Sequence, residues 1–323
     1  KDFDYVYCFF DDEYSGWLRW DLYHPYKANR DKRYEDYGAS EYMQMFNQTL
    51  RAMQKSIYKK RPPKEKKTKI KTPWEKFIDE NFDRERDILM KYFEEMYIRC
   101  YMDEITEADD QIAYYCLNKK KNEKIVIMTA DMDLAQLISE DVIIYNLTIK
   151  DFITTKNFKD KFGYYWENVL VKKIFCGDVS DNISNINGLS EEGFFKIMPE
   201  ALTKKVTVEE VKNKAKELIE ERKNSNKKPL KVHENIVNGI SNKEYDGDFY
   251  EINEKIINLK KPLLSDESKE MMDAMMYAPL DPEGRSYMTL YKYILEDKIE
   301  ELCSDTKFSS FFKQIKVSIP VPS

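Results

Sequence analysis

At 323 residues, 42% of them hydrophobic, the chain is long enough to bury one large core or two medium ones as a folded, soluble protein of formal net charge −6. No run approaches the roughly 20 apolar residues of a membrane-spanning helix, and no signal-peptide pattern opens the chain. The five cysteines, Cys8, Cys100, Cys116, Cys176 and Cys303, are scattered and form no CxxC, which argues against a disulfide frame or a zinc site and for a reducing, cytoplasmic compartment. The sequence starts at Lys1, without Met, on the approach to a strand, and we expect a segment ahead of it.

In chain order, Tyr5-Val6-Tyr7-Cys8-Phe9-Phe10 predicts a strand that ends on Asp11 and Asp12. A tract of rings and cations follows: Trp17, Arg19, Trp20, Tyr23, Tyr26, Lys27, Arg30, Lys32 and Arg33. Rings that stack on bases beside cations that meet phosphates suit a nucleic acid. A strand-to-helix junction with Trp and Tyr as core and Lys and Arg as solvated rim accounts for them equally well. Residues 51–71 carry ten Lys or Arg against the single Glu65, a local positive field in an acidic chain. Pro62-Pro63 breaks any helix there, so a loop that touches phosphate is expected, with a plain solubility loop as the competing reading.

From Pro73 to Tyr97 the pattern is helical, with Trp74, Phe77, Ile78, Phe82, Ile88, Leu89, Tyr92 and Phe93 among charges. An acidic helix opens at Thr106. The β-branched run Lys124 to Thr129 predicts a buried strand, residues 133–139 a helix, Val142-Ile143-Ile144-Tyr145 a second strand, and helical pattern resumes around 164–176. Strand, helix, strand is the signature of a parallel sheet. Beyond Gly177 comes a glycine turn, Gly188-Leu189-Ser190, that leads into a helix start. Long helical blocks then run from Lys204 to Asp305, broken at 224–226, 246–248 and 278–282.

The chemistry is carried by acids placed beside apolar runs: Glu107 and Asp109, Asp131 and Asp133, Asp178 and Asp181. Asp131 and Asp133 fall just past a predicted strand, in the crevice where open α/β sheets bind ligands. Singly, each has a plainer explanation: Thr106-x-x-Asp109 has capping-box spacing, Asp131 suits an N-cap, and Asp178 and Asp181 suit a solvated helix face. Gathered in one cleft, however, they would repel one another unless cations neutralise them. Oxygen ligands without Cys or His call for Mg²⁺ or Mn²⁺.

The series E-A-D-D at 107–110, T-A-D-M-D-L-A-Q-L at 129–137 and G-D-V-S-D-N-I at 177–183, followed by a glycine turn, resembles the 5′-nuclease (flap endonuclease) superfamily, and within it the T-even phage ribonuclease H and phage 5′→3′ exonucleases. F-F-D-D-E-Y-S-G-W-L-R-W-D and Y-K-A-N-R within 9–30, and more faintly 249–259, extend the likeness over most of residues 1 to about 260. The resemblance implies an α/β fold with a parallel central sheet flanked by helices. It places an α/β catalytic domain at 1–175, lacking the family's first strand and carrying a basic arch at about 51–80. A mostly helical duplex-binding domain with a helix-two-turn-helix would follow at 176–323. Asp11, or Asp12 in a shifted register, would surround a first Mg²⁺ with Glu107, Asp109 and Asp131, while Asp133, Asp178 and Asp181 would hold a second, with Mn²⁺ as a substitute.

By the same resemblance Lys27 and Arg30 contact the scissile phosphate and Tyr26 stacks on the terminal base. Lys59, Lys60, Arg61, Lys64, Lys66 and Lys67 line the arch, and Gly188, Ser190 and Lys196 belong to the duplex-gripping turn, around K⁺. Ser190 replaces a glycine of the family pattern there. The implied activity is Mg²⁺-dependent cleavage near 5′ ends of flapped or nicked DNA and of RNA·DNA hybrids, as in primer removal during phage-type replication in the host cytoplasm. Single-strand-binding protein or a sliding clamp are the candidate protein partners, and no membrane is involved. Two other readings stand beside it: a catalytically impaired, structure-specific DNA-binding subunit of the same fold, and a metal phosphatase for smaller substrates.

Overall fold

The computed structural model describes residues 5–12, 14–28, 73–278, 287–299 and 306. Two compact units divide the chain, one formed by residues 1–10, 35–102 and 273–323, the other by 11–34 and 103–272.

In the first unit, β1 (Tyr7–Asp11) is bonded to β2 (Arg99–Asp103) in a two-stranded sheet, each strand running one residue past the unit's edge. The expected helix at 73–97 is α2 (Pro73–Glu95), numbered after the short α1 (Trp17–Leu22) of the other unit. Tyr92 and Met96 of this segment are buried with Leu290 and Ile294 of a late helix, Tyr287–Glu296, and the Tyr92 hydroxyl donates to Asp297 at 2.6 Å. Arg99 ties the strand to its surroundings by donating to the Tyr7 hydroxyl at 2.9 Å and to the Met275 carbonyl at 3.1 Å.

The second unit carries the α/β core. The acidic helix α3 (Ala108–Asn118) leads to β3 (Ile125–Thr129), which pairs in parallel with β4 (Val142–Asn146), Ile127 facing Ile144 across the ladder. A short strand β5 (Asp151–Ile153) adds antiparallel to β4. Burial alternates along β4 as a two-residue period requires: Val142, Ile144 and Asn146 are inside. Where a helix was expected over 133–139, one 3₁₀ stretch, Asp133–Leu137, makes the crossover. Its polar member Gln136 is spent on the backbone, donating to the Ile257 carbonyl at 3.0 Å and accepting from the Leu259 amide at 3.2 Å.

The helical part begins with α4 (Phe158–Phe162) and α5 (Val169–Cys176). Then come α6 (Glu191–Ile197), α7 (Val208–Asn224), α8 (Lys231–Asn238), α9 (Phe249–Ile257) and α10 (Asp266–Tyr277), with Tyr287–Glu296 as α11. The breaks foreseen at 224–226 and 246–248 separate α7 from α8 and α8 from α9, with Asn226 and Gly247 at positive φ. Most of the third break, 278–282, lies outside the described residues. Phe175, Phe194, Ile186, Val211, Ile236 and Ile256 centre one apolar core under α5 to α9, while Ile127, Leu134, Ile144, Ile153 and Phe158 centre another against the sheet. Lys173 of α5 and Ile256 and Ile257 at the end of α9 reach the carboxyl edge of β3, where Asp131 follows the strand.

Candidate active site

At that edge a cavity of about 150 Å³ is walled by Asp11, Arg19, Tyr26, Lys27, Glu107, Asp109, Asp131, Asp133, Lys173 and Asp181, and floored by Ile183, Ile256, Ile257 and Leu259. Four separate stretches of chain deliver the acids. Asp11 is the last residue of β1, and its Oδ1 accepts the Ala108 amide at 2.8 Å, at the first turn of α3. Asp11, and not Asp12, therefore faces the site. Asp131 follows β3 and closes a tight turn by accepting the Asp133 amide at 2.8 Å, which sets both acids on one side.

Asp178 and Asp181 hang on a loop that only glycine can open. Gly177 ends α5 at φ +67°, and a Cβ there would sit 2.6 Å from the Ile183 carbonyl oxygen and from the Ser184 backbone. The loop closes on itself through paired backbone bonds between Asp178 and Ile183, and the Asp181 carbonyl accepts the Lys27 amide at 2.8 Å. One oxygen each of Asp133, Asp178 and Asp181 lies within 4.8 Å of the others.

Buried cations are built into the wall. Arg19, 5% exposed, donates to Glu107 at 2.6 Å, to both oxygens of Asp110 and, through Nε, to the Ile256 carbonyl at 2.8 Å. Glu107 also accepts from the Tyr26 hydroxyl at 2.9 Å and from the Lys27 ammonium. Burial alone would raise the Glu107 pKa, yet Arg19 and Lys27 outweigh it and hold the carboxyl below its ordinary value. Lys173 pairs with Asp133 and, at 2.6 Å, with Asp178. That pairing overcomes burial at Asp178 and carries its pKa down to about 2.

Asp109 is the exception. It makes no hydrogen bond or ion pair among the described residues, and burial together with the charges of Asp131, Glu107 and Asp11 pushes its pKa up to about 8. A carboxylate so placed, between Asp11 and Asp131 in a polar cavity, fits the donor set of a hard divalent cation. The residues present accordingly suit such an ion: Asp11, Asp109 and Asp131 on one side, Asp133, Asp178 and Asp181 on the other.

Several expected residues sit elsewhere or serve differently. Tyr26 is 2% exposed with its hydroxyl on Glu107, so it cannot stack on a terminal base without leaving the wall; it positions Glu107. Gly188 (φ +80°), Ser190 and Lys196 lie in the helical part, not at the cavity. Ser190 caps α6 by accepting the Gly193 amide at 3.1 Å, and Lys196 is exposed and paired with Glu192 at 2.6 Å. Arg30, Lys59, Lys60, Arg61, Lys64, Lys66 and Lys67 fall outside the described residues. Sequence reasoning passed over Lys173 altogether and read Arg19 only as part of a mixed tract. A cation inside an apolar helical pattern, W-L-R-W or V-K-K-I-F, was the available signal.

Residues 1–163 match the family described as 5'-3' exonuclease, N-terminal resolvase-like domain. The chain belongs to this nuclease family. Similar curated proteins include the 5'-3' exonuclease of Aquifex aeolicus (strain VF5), 27% identical over 171 residues that cover 53% of this chain and 56% of that protein. The 5'-3' exonuclease of Mycoplasmopsis pulmonis (strain UAB CTIP) is 36% identical over 88 residues, 27% of this chain and 30% of that one. The DNA polymerase I of Caldicellulosiruptor bescii is 35% identical over 102 residues, 29% of this chain and 12% of that one. The chain thus spans less than two thirds of the length of these relatives. Among solved structures, T5 D15 protein co-crystallized with metal ions is similar with a TM-score of 0.51 at 15% identity, over 92% of this chain and 85% of that one, a likeness of fold. Among the described residues no helix is long and apolar enough to cross a membrane.

Proposed function

We propose that this member of the 5'-3' exonuclease family is a divalent-metal-dependent 5′→3′ exonuclease and flap endonuclease. Its substrates are DNA with a 5′ flap or nick and RNA·DNA hybrids, as in primer removal in phage-type replication in the (host) cytoplasm. The observation that carries this reading is the unpartnered Asp109 carboxyl between Asp11 and Asp131, an anionic nest that a cation completes. Asp11, Asp109 and Asp131 would hold one Mg²⁺ and Asp133, Asp178 and Asp181 a second, with Mn²⁺ able to replace either. Bound there, the ions supply the Lewis acidity that lowers the pKa of an attacking water and neutralises the departing 3′ oxygen.

The chain's own residues do the rest. Lys27 lies at the rim with its ammonium on Glu107 and is the group that can turn to the scissile phosphate, with Arg30 beside it in sequence. Were Lys27 to turn, one Glu107 oxygen would be left free to serve as a ligand, while Arg19 and Tyr26 would keep the other oriented. The apolar floor of Ile183, Ile256, Ile257 and Leu259 limits water beneath the acids and strengthens every charge interaction above it. In the division of labour we propose, residues 1–175 cut, the arch around 51–80 admits the free 5′ end, and residues 176–323 grip duplex through the Gly188–Ser190 turn, around K⁺, and Lys196. Single-strand-binding protein or a sliding clamp would present the substrate.

The test is release of a 5′-labelled flap with and without Mg²⁺. Cleavage that needs the ion and is lost in Asp131→Ala supports the reading. Tight binding to flapped DNA with no cleavage at any Mg²⁺ or Mn²⁺ concentration would replace it with a binding-only role.

A further inference from the structure

Lys173 has no part in the scheme above, yet it is one of the most constrained side chains in the molecule. It stands on α5 between buried Val171 and Ile174, is 8% exposed itself, and reaches the cavity only with its ammonium. Both of its ion-pair partners, Asp133 and Asp178, belong to the trio whose oxygens crowd within 4.8 Å of one another. Three carboxylates at that spacing repel, and a single fixed positive charge among them offsets much of the repulsion. On the other side of the cavity, Asp109 has no such counter-ion among the described residues.

We propose that Lys173 is the resident cation of the Asp133–Asp178–Asp181 half of the site: it keeps these acids together by itself and competes with the second divalent ion for their oxygens. The proposal rests on the nuclease reading and adds an order to it. A Mg²⁺ ion needs its oxygens at roughly 2.0–2.1 Å. An oxygen that already has an ammonium within hydrogen-bonding distance can serve such an ion only if the ammonium yields or tolerates strong repulsion. The half containing Asp109 fills first and tightly. The half guarded by Lys173 fills weakly, and its loading is therefore left to conditions in which substrate phosphate adds negative charge. Lys173 is a positioning residue in this scheme, touching the acids and not the nucleic acid.

The experiment is calorimetric titration of the full chain with Mn²⁺, comparing the natural protein, Lys173→Met and Lys173→Arg. The natural protein should show a tight and a weak class of sites. Lys173→Met should tighten the weak class at least tenfold, and its melting temperature, lowered in chelator, should recover in saturating Mn²⁺. Lys173→Arg, which keeps the charge, should leave the weak class within about threefold of the natural value. Unchanged or weakened Mn²⁺ binding by folded Lys173→Met overturns the proposal. Should that variant fail to fold, the lysine ammonium resonance that disappears in Lys173→Arg decides the matter in the natural protein. It must shift with the second equivalent of Mg²⁺ and not the first, and a resonance that ignores both equivalents is equally fatal. A natural protein that neither binds Mn²⁺ nor cuts a flap fails the nuclease reading itself. One that does both while Lys173→Met keeps its affinity fails only the resident-cation proposal.

Discussion

Two residues of the cavity wall, Arg19 and Asp109, show how opposite solutions to the same electrostatic problem coexist. Arg19 satisfies Glu107 and Asp110 at once, and Asp110 adds the Leu263 amide at 2.9 Å. Removing the guanidinium leaves Asp110 buried without its cation and Glu107 with Lys27 as its remaining cation, so Arg19→Met should destabilise the fold by about 3–5 kcal/mol, measured by urea unfolding at pH 7. A loss below about 1 kcal/mol would mean that Arg19 is not the counter-ion of both. Asp109 has the reverse problem. Its folded pKa of about 8 is far above that of an ordinary aspartate. Between roughly pH 4 and pH 8 the unfolded chain has lost this proton and the folded chain has kept it, so folding takes up a proton there and stability falls as pH rises. Asp109→Asn removes that dependence. In chelator the variant should match the natural protein near pH 4 and exceed it by roughly 1 kcal/mol or more at pH 8, while losing tight Mn²⁺ binding. Parallel pH profiles for the two proteins would show that Asp109 ionises normally.

At the scale of elements, the loop that joins α5 to the Asp178–Ile183 bridge depends on a single backbone position. Gly177→Ala places a methyl group against backbone atoms of Ile183, Ser184 and Asn185 at 2.6–2.7 Å, in a left-handed conformation that alanine resists. We expect a loss of stability of about 2 kcal/mol or more in thermal unfolding, and a larger proportional loss of metal binding, because Asp178 and Asp181 move with the loop. Normal stability with normal Mn²⁺ affinity would show that the loop tolerates the methyl group. The same scale explains what the sequence made legible. β3 and β4 were readable from their short β-branched runs, although β3 is less buried than expected, with Ile127 inside and Met128 66% exposed, and G-D-V-S-D-N marked a turn because glycine and asparagine supply the φ values it uses, +67° at Gly177 and +61° at Asn182. β2 was missed because R-C-Y-M-D has neither alternation nor a continuous apolar run. Lys173 and Arg19 were harder for a different reason: a cation inside an apolar helical pattern marks a buried charge, but its partners lie 40 to 91 positions away, at Asp133 and Asp110, and no local pattern names them.

For the whole molecule, a nucleic-acid substrate of the kind proposed would meet an acidic chain whose positive charge is unevenly spread. The net charge of −6 works against DNA at long range, yet residues 51–71 carry ten of the chain's 53 Lys and Arg beside a single Glu. If that run is where phosphates are met, its contribution is counter-ion release, which is independent of base sequence and steep in salt. Replacing Lys59, Lys60, Arg61, Lys64, Lys66 and Lys67 with Gln should then weaken binding to flapped DNA at low salt. It should also flatten the plot of log affinity against log salt by up to roughly four units if all six meet single-stranded phosphates, at about 0.7 per contact. Mn²⁺ affinity and thermal stability should stay put, because the acids proposed to hold the ions lie at other positions of the chain. An unchanged salt slope with unchanged flap cleavage would make the run a solubility loop, and would leave the search for the strand's entry path to Trp17, Trp20 and His24, whose tilted rings follow one another with centroids 4.8 and 4.4 Å apart in and just beyond α1.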